Sequence, residues 1–405
     1  MFKAFKDPSV LWTTLFASGI LMITMGTRQS MGLYVGPINT STGLGIASIS
    51  LALALGQFVW GVIQPVAGAL ADRQGPRVVL LSGVMLLALG YALTPWLSTA
   101  WGLMFTLGVV SATGSGAASF SVLIGASASR IPAQSRGSAS GVINAGGSMG
   151  QFVFPPILQR LIEILGWMGA MWSMALMTLL SLPLILRLTH GHTPFSPASA
   201  GADSLSQAVK SSFKNPSYLL LHLGFFTCGF HIAFLVTHLP TEVNLCGLPA
   251  SVASWSLAII GLANMVGSIV AGNCVSRYRS KYILALMYAS RAALIVLYLL
   301  APKTALTFYL FAAGLGLTWL ATVPPTAGIV AKLFGVRYLG TLFGLTLLSH
   351  QIGGFFGAYL GGLVILREGD YQWMWYADIV LAVLAALVNL PIQEAPIEEP
   401  KVQVI

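Results

Sequence analysis

Seven ionisable side chains interrupt the apolar stretches of this 405-residue chain, and they are the residues best placed to do chemistry. They are Arg28, His222, His231, His238, Arg291, His350 and Asp378. Arginine can bind a carboxylate through two parallel N–H groups, and a free imidazole changes its charge at about pH 6.5. Carboxylates are almost absent from the same stretches, so an anionic ligand would supply the missing negative charge. The pattern therefore indicates a binding site for a small organic anion.

Arg28 is the strongest candidate for binding that anion, and its alternative role is a structural bond to helix-end carbonyls. His231 lies 203 residues further on, at the matching position of the internal repeat described below, so we expect it to face the same central axis. It is a candidate for substrate binding and for proton coupling, against the alternative of a neutral histidine that packs its helix. His350 is a candidate for lining a cavity. Arg291 is expected to make a structural bond, with Asp378 as one candidate partner.

Neutral polar and aromatic side chains supply the secondary candidates for the wall of the site. They are Gln57, Asn144, Asn264, Trp319 and Tyr34. An amide can hydrogen-bond a substrate or join two helices, and an aromatic ring on an apolar helix often only packs. Both roles stay open for these residues.

The chain carries no motif of an enzyme, a metal site or a cofactor site. Its three cysteines, Cys228, Cys246 and Cys274, form no CxxC pair, and no HExxH or P-loop pattern occurs. We therefore expect no catalysis, no metal, no cofactor and no use of ATP. The formal net charge of +9 would suggest nucleic acid in a soluble protein. Here the basic residues follow membrane topology instead, so no nucleic-acid partner is expected.

The composition is that of an integral membrane protein. Hydrophobic residues make up 56% of the chain and charged residues 8%, whereas a soluble domain has about 25% charged residues. Twelve apolar stretches approach or exceed the length of about 20 residues that a spanning helix needs. They cover roughly 10–35, 44–70, 77–95, 101–127, 138–159, 166–187, 217–240, 250–274, 282–301, 305–330, 338–365 and 371–391. The sequence thus predicts an all-α membrane protein with twelve transmembrane helices.

The loops between these stretches set the expected orientation. With the N-terminus in the cytoplasm, fifteen Lys and Arg residues fall in inner segments and three in outer loops. Because basic residues are retained on the cytoplasmic side during insertion, we expect both termini there. Lys3 and Lys6 precede an apolar run too long for a cleaved signal peptide, so the first helix is expected to be retained. The predicted location is the inner (cytoplasmic) cell membrane, crossed by multiple passes.

A shift of 203–204 residues superposes the chain on itself. The glycines that coincide under this shift are Gly26 with Gly229, Gly137 with Gly340, Gly141 with Gly344, and Gly150 with Gly353. The repeat predicts two pseudo-symmetric six-helix bundles with a cavity between them. Their expected boundaries are 1–188 and 217–392, with a polar cytoplasmic linker at 189–216 and a cytoplasmic tail at 393–405.

The loop after the second span reads Gly68-Ala-Leu-Ala-Asp72-Arg73-Gln-Gly75-Pro-Arg77. Gly75 suits a tight turn, and the charges of Asp72 and Arg73 can hold one conformation of this face. The alternative is a solvated run of charges that only sets topology. The segment resembles the signature G-x-L-x-D-R-x-G-R-R/K of the major facilitator superfamily, and the resemblance covers the whole chain. It implies alternating access, with these five charged and glycine positions in conformational gating.

Four further segments are similar to bacterial transporters near the monocarboxylate and oxalate–formate porters. They read GTRQSMGLY, CGFHIAFLVTHLP, VPPTAGIVAKLFG and LSHQIGGFFGAYLGG. This resemblance places Arg28 at the position of a functional lysine in the first helix of monocarboxylate carriers. Those carriers tend to have an arginine in the eighth helix, and this chain has none there.

These observations lead to one principal hypothesis and one alternative. The principal hypothesis is a secondary active transporter of a small organic anion, a carboxylate, by proton symport or anion exchange. The alternative is an efflux pump for drugs or larger metabolites, including siderophore-like compounds. The expected partners are the anion, protons as coupling ions and the lipid bilayer, and the chain is expected to act as a monomer.

Overall fold

The computed structural model describes residues 7–128, 131–190, 205–275, 277–334 and 339–394. Regular structure in these residues is helical, and we number the transmembrane helices α1 to α12. Their bounds are α1 Pro8–Thr42, α2 Ile46–Gln74, α3 Pro76–Leu93, α4 Ala100–Leu123, α5 133–165, α6 167–188, α7 Pro216–Leu245, α8 Ala250–Val275, α9 Ser280–Leu300, α10 Ala305–Phe334, α11 Leu339–Glu368 and α12 Gln372–Asn389. A short helix, Leu205–Ser212, precedes α7.

Ten stretches of the described residues have the length and hydropathy of a spanning helix, and one of these, Gly141–Leu188, holds two crossings. The chain turns at Gly166, where φ is 69°, a left-handed conformation that glycine adopts without strain. This turn separates α5 from α6. The 30-residue helix α11 completes the twelve crossings that the sequence predicts.

The first helix of each half begins with the same kind of cap. The Asp7 carboxylate accepts a hydrogen bond from the Ser9 amide, and the Asn215 side chain accepts one from the Ser217 amide, both at 2.9 Å. A proline occupies the first helical position in both cases, where its missing N–H costs nothing. Short polar residues before a proline therefore start α1 and α7.

The repeated glycines make the same packing contact in each half. A Cβ atom on Gly26 or Gly150 would collide with the backbone of the facing helix in the α1–α5 pair. A Cβ atom on Gly229 or Gly353 would do so in the α7–α11 pair. Small residues allow such close approach of helices where no water drives their association. The two bundles thus share a helix pairing at positions 203 residues apart.

Among the described residues, the tight glycine contacts between the two halves lie towards one face. We call the face where α1 begins and α12 ends the terminal face. The glycines in closest contact across the halves are Gly32 with Val236, Gly61 with Gln351, Gly261 with Phe152, and Gly362 with Ser50. All of these lie between the middle of the helices and the opposite face. Near the terminal face, a Cβ atom on Gly68, Gly141 or Gly344 would meet nothing within 4 Å. In the described residues, the halves are thus in close contact towards the opposite face, and these three glycines near the terminal face have open space around them.

Helix α10 is interrupted between its two parts, Ala305–Thr318 and Val323–Phe334. Pro324 and Pro325 lack the N–H groups that would continue the hydrogen-bond ladder, so the helix breaks before them. Side chains from neighbouring helices satisfy the backbone groups freed at the break. The break lies in the C-terminal half, where its free carbonyl groups accept hydrogen bonds from the buried Arg291.

Candidate functional site

A cavity lies between the first four helices and α7, in the half of the transmembrane region towards the face opposite the terminal face. It is lined by Arg28, Met31, Leu53, Gly56, Gln57, Leu87, Tyr91, Leu107, Ser111, Val236 and Thr237. Helices α1 to α4 supply nine of these residues and α7 supplies two. The N-terminal half therefore supplies most of the wall.

Arg28 is the one permanently charged side chain among the residues that line this cavity. It lies in the last turn of the first part of α1, Pro8–Gln29, and is half-buried. Its Nη2 atom donates to Gln57 Oε1 at 2.6 Å and lies 3.5 Å from the Gly56 carbonyl. The guanidinium also stacks over the Trp60 ring, 4.3 Å from the ring centroid. These contacts hold the planar donor group in one orientation, as carboxylate binding requires.

The ion pairs among the described residues do not include Arg28. No described carboxylate therefore lies within ion-pair distance of its guanidinium. Gln57 supplies a neutral carbonyl oxygen where a carboxylate oxygen could bind. The rest of the wall is mainly apolar, with hydroxyl groups from Tyr91, Ser111 and Thr237. Such a site has one fixed positive charge, a few hydroxyl groups and apolar sides. It can bind one anionic group attached to a small apolar body.

The structure does not bring His231 to this cavity. The side chain is fully buried in the C-terminal half, where its Nδ1 atom pairs with Asp378 Oδ2 on α12. Its ring lies edge-on to that of Trp319, with 5.9 Å between centroids. The sequence placed His231 opposite Arg28, but its pairing with Asp378 turns it away from the cavity that Arg28 lines.

His350 also lies outside that cavity. It is buried against Phe225, with ring centroids 4.9 Å apart, and Gln351 Nε2 lies 3.2 Å from its Nδ1 atom. The stem of Gln351 packs against Gly61 across the two halves. His350 is therefore next to the contact between α2 and α11.

Asn264 joins the two halves. Its Nδ2 atom donates to Ser148 Oγ on α5 at 2.9 Å, and its Oδ1 atom accepts from the Leu320 amide at the break in α10 at 3.0 Å. Of the two roles left open for this residue, the structure shows helix joining. Trp319 is fully buried at the same break.

The remaining two candidates lie elsewhere. The Tyr34 hydroxyl lies 3.1 Å from Met174 Sδ on α6, and the ring is buried. Asn144 is half-buried on α5. Neither is among the residues that line the cavity.

Four residues near Arg28 were not among the candidates predicted from the sequence: Trp60, Tyr91, Ser111 and Thr237. Trp60 had a usable signal, because it lies three residues after Gln57 and so shares its helix face. The other three are neutral residues on separate helices, and only the packing of α3, α4 and α7 brings them together.

The segment at the junction of α2 and α3, residues 68–77, holds the five residues predicted for conformational gating, and we call it the gating segment. The structure describes part of it. Gly75 has φ 87° and joins α2 to α3, so the predicted tight turn is present. Arg77 is exposed in the first turn of α3. The side chains of Asp72 and Arg73 lie outside the described part of the structure. Around Gly68 there is open space.

The described residues hold no group of three or more His, Cys, Asp or Glu side chains that could bind a metal ion.

Comparisons with known proteins agree with this architecture. The chain is 24% identical to monocarboxylate transporter 13 of Rattus norvegicus over 94% of its own length and 88% of that protein. It is 25% identical to the fujikurins efflux protein of Gibberella fujikuroi, over 78% of this chain and 67% of that protein. The solved structure of a D-xylose–proton symporter superposes with a TM-score of 0.76 at 16% identity, covering 95% of this chain and 98% of that one. This last similarity shows the fold.

A family model described as the Major Facilitator Superfamily matches residues 14–358, and a second match covers 247–403. These matches include both halves, the cavity and the gating segment. Together with the twelve helices and the repeated glycine contacts, they confirm the resemblance seen in the loop after α2. The chain belongs to the Major Facilitator Superfamily of transporters.

Proposed function

We propose that this protein is a secondary active transporter of a small organic anion, and that Arg28 binds the carboxylate of that anion. The observation that carries the proposal is an arginine without a counter-ion among the described residues, lining a cavity between the two halves. An unpaired charge within the membrane is costly, so such residues mark substrate or ion pathways.

The contacts of Arg28 support binding by exchange of partners. A substrate carboxylate would take the place of Gln57 Oε1 on Nη2, and the strength of a charged pair would exceed that of the arginine–amide bond. The Gln57 side chain could then turn its amide N–H groups to the substrate. The single positive charge and the apolar walls favour one carboxylate on a compact body over a di- or tricarboxylate. A relative named as a monocarboxylate transporter supports the same class.

Transport would follow from rocking of the two halves around this cavity. We take 1–188 and 217–392 as the moving bodies, 189–216 as their linker and 393–405 as a tail. The bias of basic residues supports a cytoplasmic terminal face, and a state open at that face would be open to the inside. Gly68, Asp72, Arg73, Gly75 and Arg77 would stabilise one state of that face.

Efflux of larger metabolites is the second candidate, and the similarity to a fujikurins efflux protein favours it. The binding site of a larger substrate would extend beyond the residues around Arg28 into other space between the halves. The two functions differ in their ligands, so a binding screen separates them.

The test is a thermal-shift screen of the purified protein with mono-, di- and tricarboxylates and a set of cationic drugs. A ligand at about 100 times its Kd stabilises the folded state by about 2.7 kcal/mol. We expect monocarboxylates to stabilise the wild type and the control Arg160→Gln, whose arginine is exposed, but not Arg28→Gln. Stabilisation only by drugs, or equal carboxylate stabilisation of Arg28→Gln, would overturn the proposal.

A further inference from the structure

A second group of ionisable side chains lies in the C-terminal half, outside the cavity that Arg28 lines. His231, Asp378 and Arg291 come from α7, α12 and α9, and each is 0% exposed. Trp319, at the break in α10, is also 0% exposed. Burying three ionisable groups is costly, and hydrophobic side chains could fill the same space. The cost suggests that the group has a function.

The pairing of His231 leaves one ring nitrogen free. Nδ1 pairs with Asp378 Oδ2, and if Asp378 is ionised its carboxylate only accepts, so Nδ1 carries the hydrogen in this proposal. In the neutral ring Nε2 then holds a lone pair. Nε2 has no hydrogen-bond partner among the described residues, and neither has Asp378 Oδ1. A ring held in this way can accept a second proton at Nε2, with Asp378 balancing the new charge.

The neighbouring helices present few other ionisable groups to this pair. Arg291 on α9 is close enough for its charge to interact with that of His231. Around Arg291 and the ring lie Cys228 on α7 itself, Tyr288 on α9 and His350 on α11. From α10 the ring faces Trp319, which does not titrate. With His231 neutral, the charges of Arg291 and Asp378 cancel, and one added proton leaves a net charge of +1.

Arg291 connects this charge to the break in α10. Its Nη2 atom donates to the Thr318 carbonyl at 2.9 Å and lies 3.4 Å from the Trp319 carbonyl. These are backbone acceptors that the interrupted helix leaves without an internal partner. Its Nε and Nη1 atoms have no partner among the described residues. A positive charge on His231 repels Arg291 and so acts directly on the side chain that holds the break.

We propose that the His231–Asp378 pair binds the coupling proton at a site separate from the anion cavity, and that Arg291 relays its charge to the break in α10. In the step itself, the lone pair of Nε2 on the neutral imidazole takes a proton from a hydronium ion, whose O–H bond breaks and leaves a water molecule. This proposal rests on the proposed function, because a proton bound at His231 is a coupling ion only if the protein transports the anion. It gives the two cargoes separate sites in the two halves.

The charges are consistent with carrying one anion together with one proton. The empty protein has Arg28 and Arg291 against Asp378 within the central part of the membrane, a net charge of +1. Adding a monoanion at Arg28 and a proton at His231 leaves the same net charge. The loaded and empty proteins would therefore meet the same electrostatic cost when the halves rock.

The experiment is ¹⁵N NMR of the full-length protein in nanodiscs, labelled only at histidine and titrated from about pH 8 to about pH 5, the range in which imidazoles change charge. The chain has six histidines, so His231→Gln identifies the signal of His231. We expect a neutral ring protonated at Nδ1 that gains a proton at Nε2 on acidification. In Asp378→Asn this tautomer preference and the titration should both be lost.

The matched control is His222→Gln, nine residues earlier on α7, where the ring bonds Ser349 and touches neither Asp378 nor Arg291. It should leave the His231 signal unchanged, and the signals of the buried His238 and His350, which every variant keeps, report whether the variant is folded. A His231 ring that carries its hydrogen on Nε2, that fails to titrate in the wild type, or that titrates equally in Asp378→Asn, would overturn the inference.

No anion is added in this experiment, so its outcome is independent of the ligand screen. A normal His231 titration without Arg28-dependent carboxylate binding would remove the proposed function and leave the proton site. Arg28-dependent binding with an inert His231 would remove the proton site and leave the anion carrier.

Discussion

Arg28 recognises its ligand by geometry as well as by charge, and substitution can separate the two. A lysine keeps the charge and loses the planar pair of donors, so Arg28→Lys should bind a monocarboxylate more weakly than the wild type but more strongly than Arg28→Gln. Loss of one partner from a buried charged bond costs about 2–5 kcal/mol, or roughly 30- to several-thousand-fold in affinity. Calorimetric titration of the three proteins measures the order. Equal loss in both variants would mean that the guanidinium plane is essential.

At the same scale, the sequence identified the charged residues but not their partners. Arg28 and Gln57 were both predicted for the site, and the structure joins them. His231 and Asp378 were both noted, yet their pairing was missed because they lie 147 residues apart on helices whose contact no local pattern encodes. An ionisable group in an apolar stretch is visible in the sequence, whereas the side chain that faces it depends on tertiary packing.

At the scale of elements, the glycines between α7 and α11 set the distance between these helices. Gly353→Ala would place a Cβ atom against the Phe226 backbone, which cannot move aside as a flexible side chain could. We expect a loss of about 1–3 kcal/mol of unfolding free energy. Gly344→Ala, on the same helix in open space, should stay within about 1 kcal/mol and on the stabilising side, since alanine favours the helix. Thermal unfolding in detergent compares them, and equal effects would contradict this packing role.

The end of α12 is tied to α9 and α10 by a carboxylate outside the membrane. The Glu394 carboxylate accepts from the Ser280 and Lys281 amides, at 3.0 and 3.1 Å, and pairs with Lys332. Burial acts to raise the pKa of Glu394, but the bonds from Lys332 and the two amides outweigh it, so the pKa is lowered. Such a carboxylate stabilises the fold above its unfolded pKa, and that contribution is lost as pH falls through the folded value.

Glu394→Gln should therefore lower the unfolding free energy at pH 7 by about 1.5–3 kcal/mol, the range for hydrogen bonds to charged groups. The difference from wild type should shrink as the pH falls below the ordinary value of 4.5. Thermal unfolding across this pH range is the measurement, and Glu368→Gln, at an exposed position, is the control. A difference that stays constant with pH would show that the charge of Glu394 is not involved.

Apolar length and turn residues made the twelve helices predictable, but the break inside α10 was not foreseen. The Pro324–Pro325 pair was visible in a continuous apolar stretch, and its effect depended on whether neighbours could satisfy the freed backbone groups. Arg291 and Asn264 do so here. The orientation of Tyr34 was likewise not predictable from the sequence, because its ring could have faced either the cavity or α6. In the structure its hydroxyl group contacts Met174 on α6.

At the scale of the whole molecule, closure at one face and opening at the other can be measured by reagent access. In a background without the three native cysteines, a cysteine at Gly68 or Gly344 should react rapidly with a water-soluble maleimide, because open space surrounds both positions. A cysteine at Gly362, packed against Ser50, should react slowly. Rapid reaction at Gly362 in the ligand-free protein would show that another state dominates in solution.

The repeat made the two-bundle arrangement predictable, while the state of the molecule was not. Sequence symmetry predicts that the two halves are alike, but it does not predict at which membrane face they are in contact. That choice depends on small differences between packed interfaces, such as Gly362 against Ser50 at one face and the open space at Gly68 at the other.

The central claim is that Arg28 selects a carboxylate for transport, and uptake into proteoliposomes tests it most directly. The probe is the radiolabelled monocarboxylate that stabilises the wild type most in the screen, with Arg160→Gln as the matched control. We expect wild type and control to take it up at similar rates, and Arg28→Gln, inserted in equal amount, to fall to the level of empty liposomes. Wild-type uptake by Arg28→Gln would contradict the account.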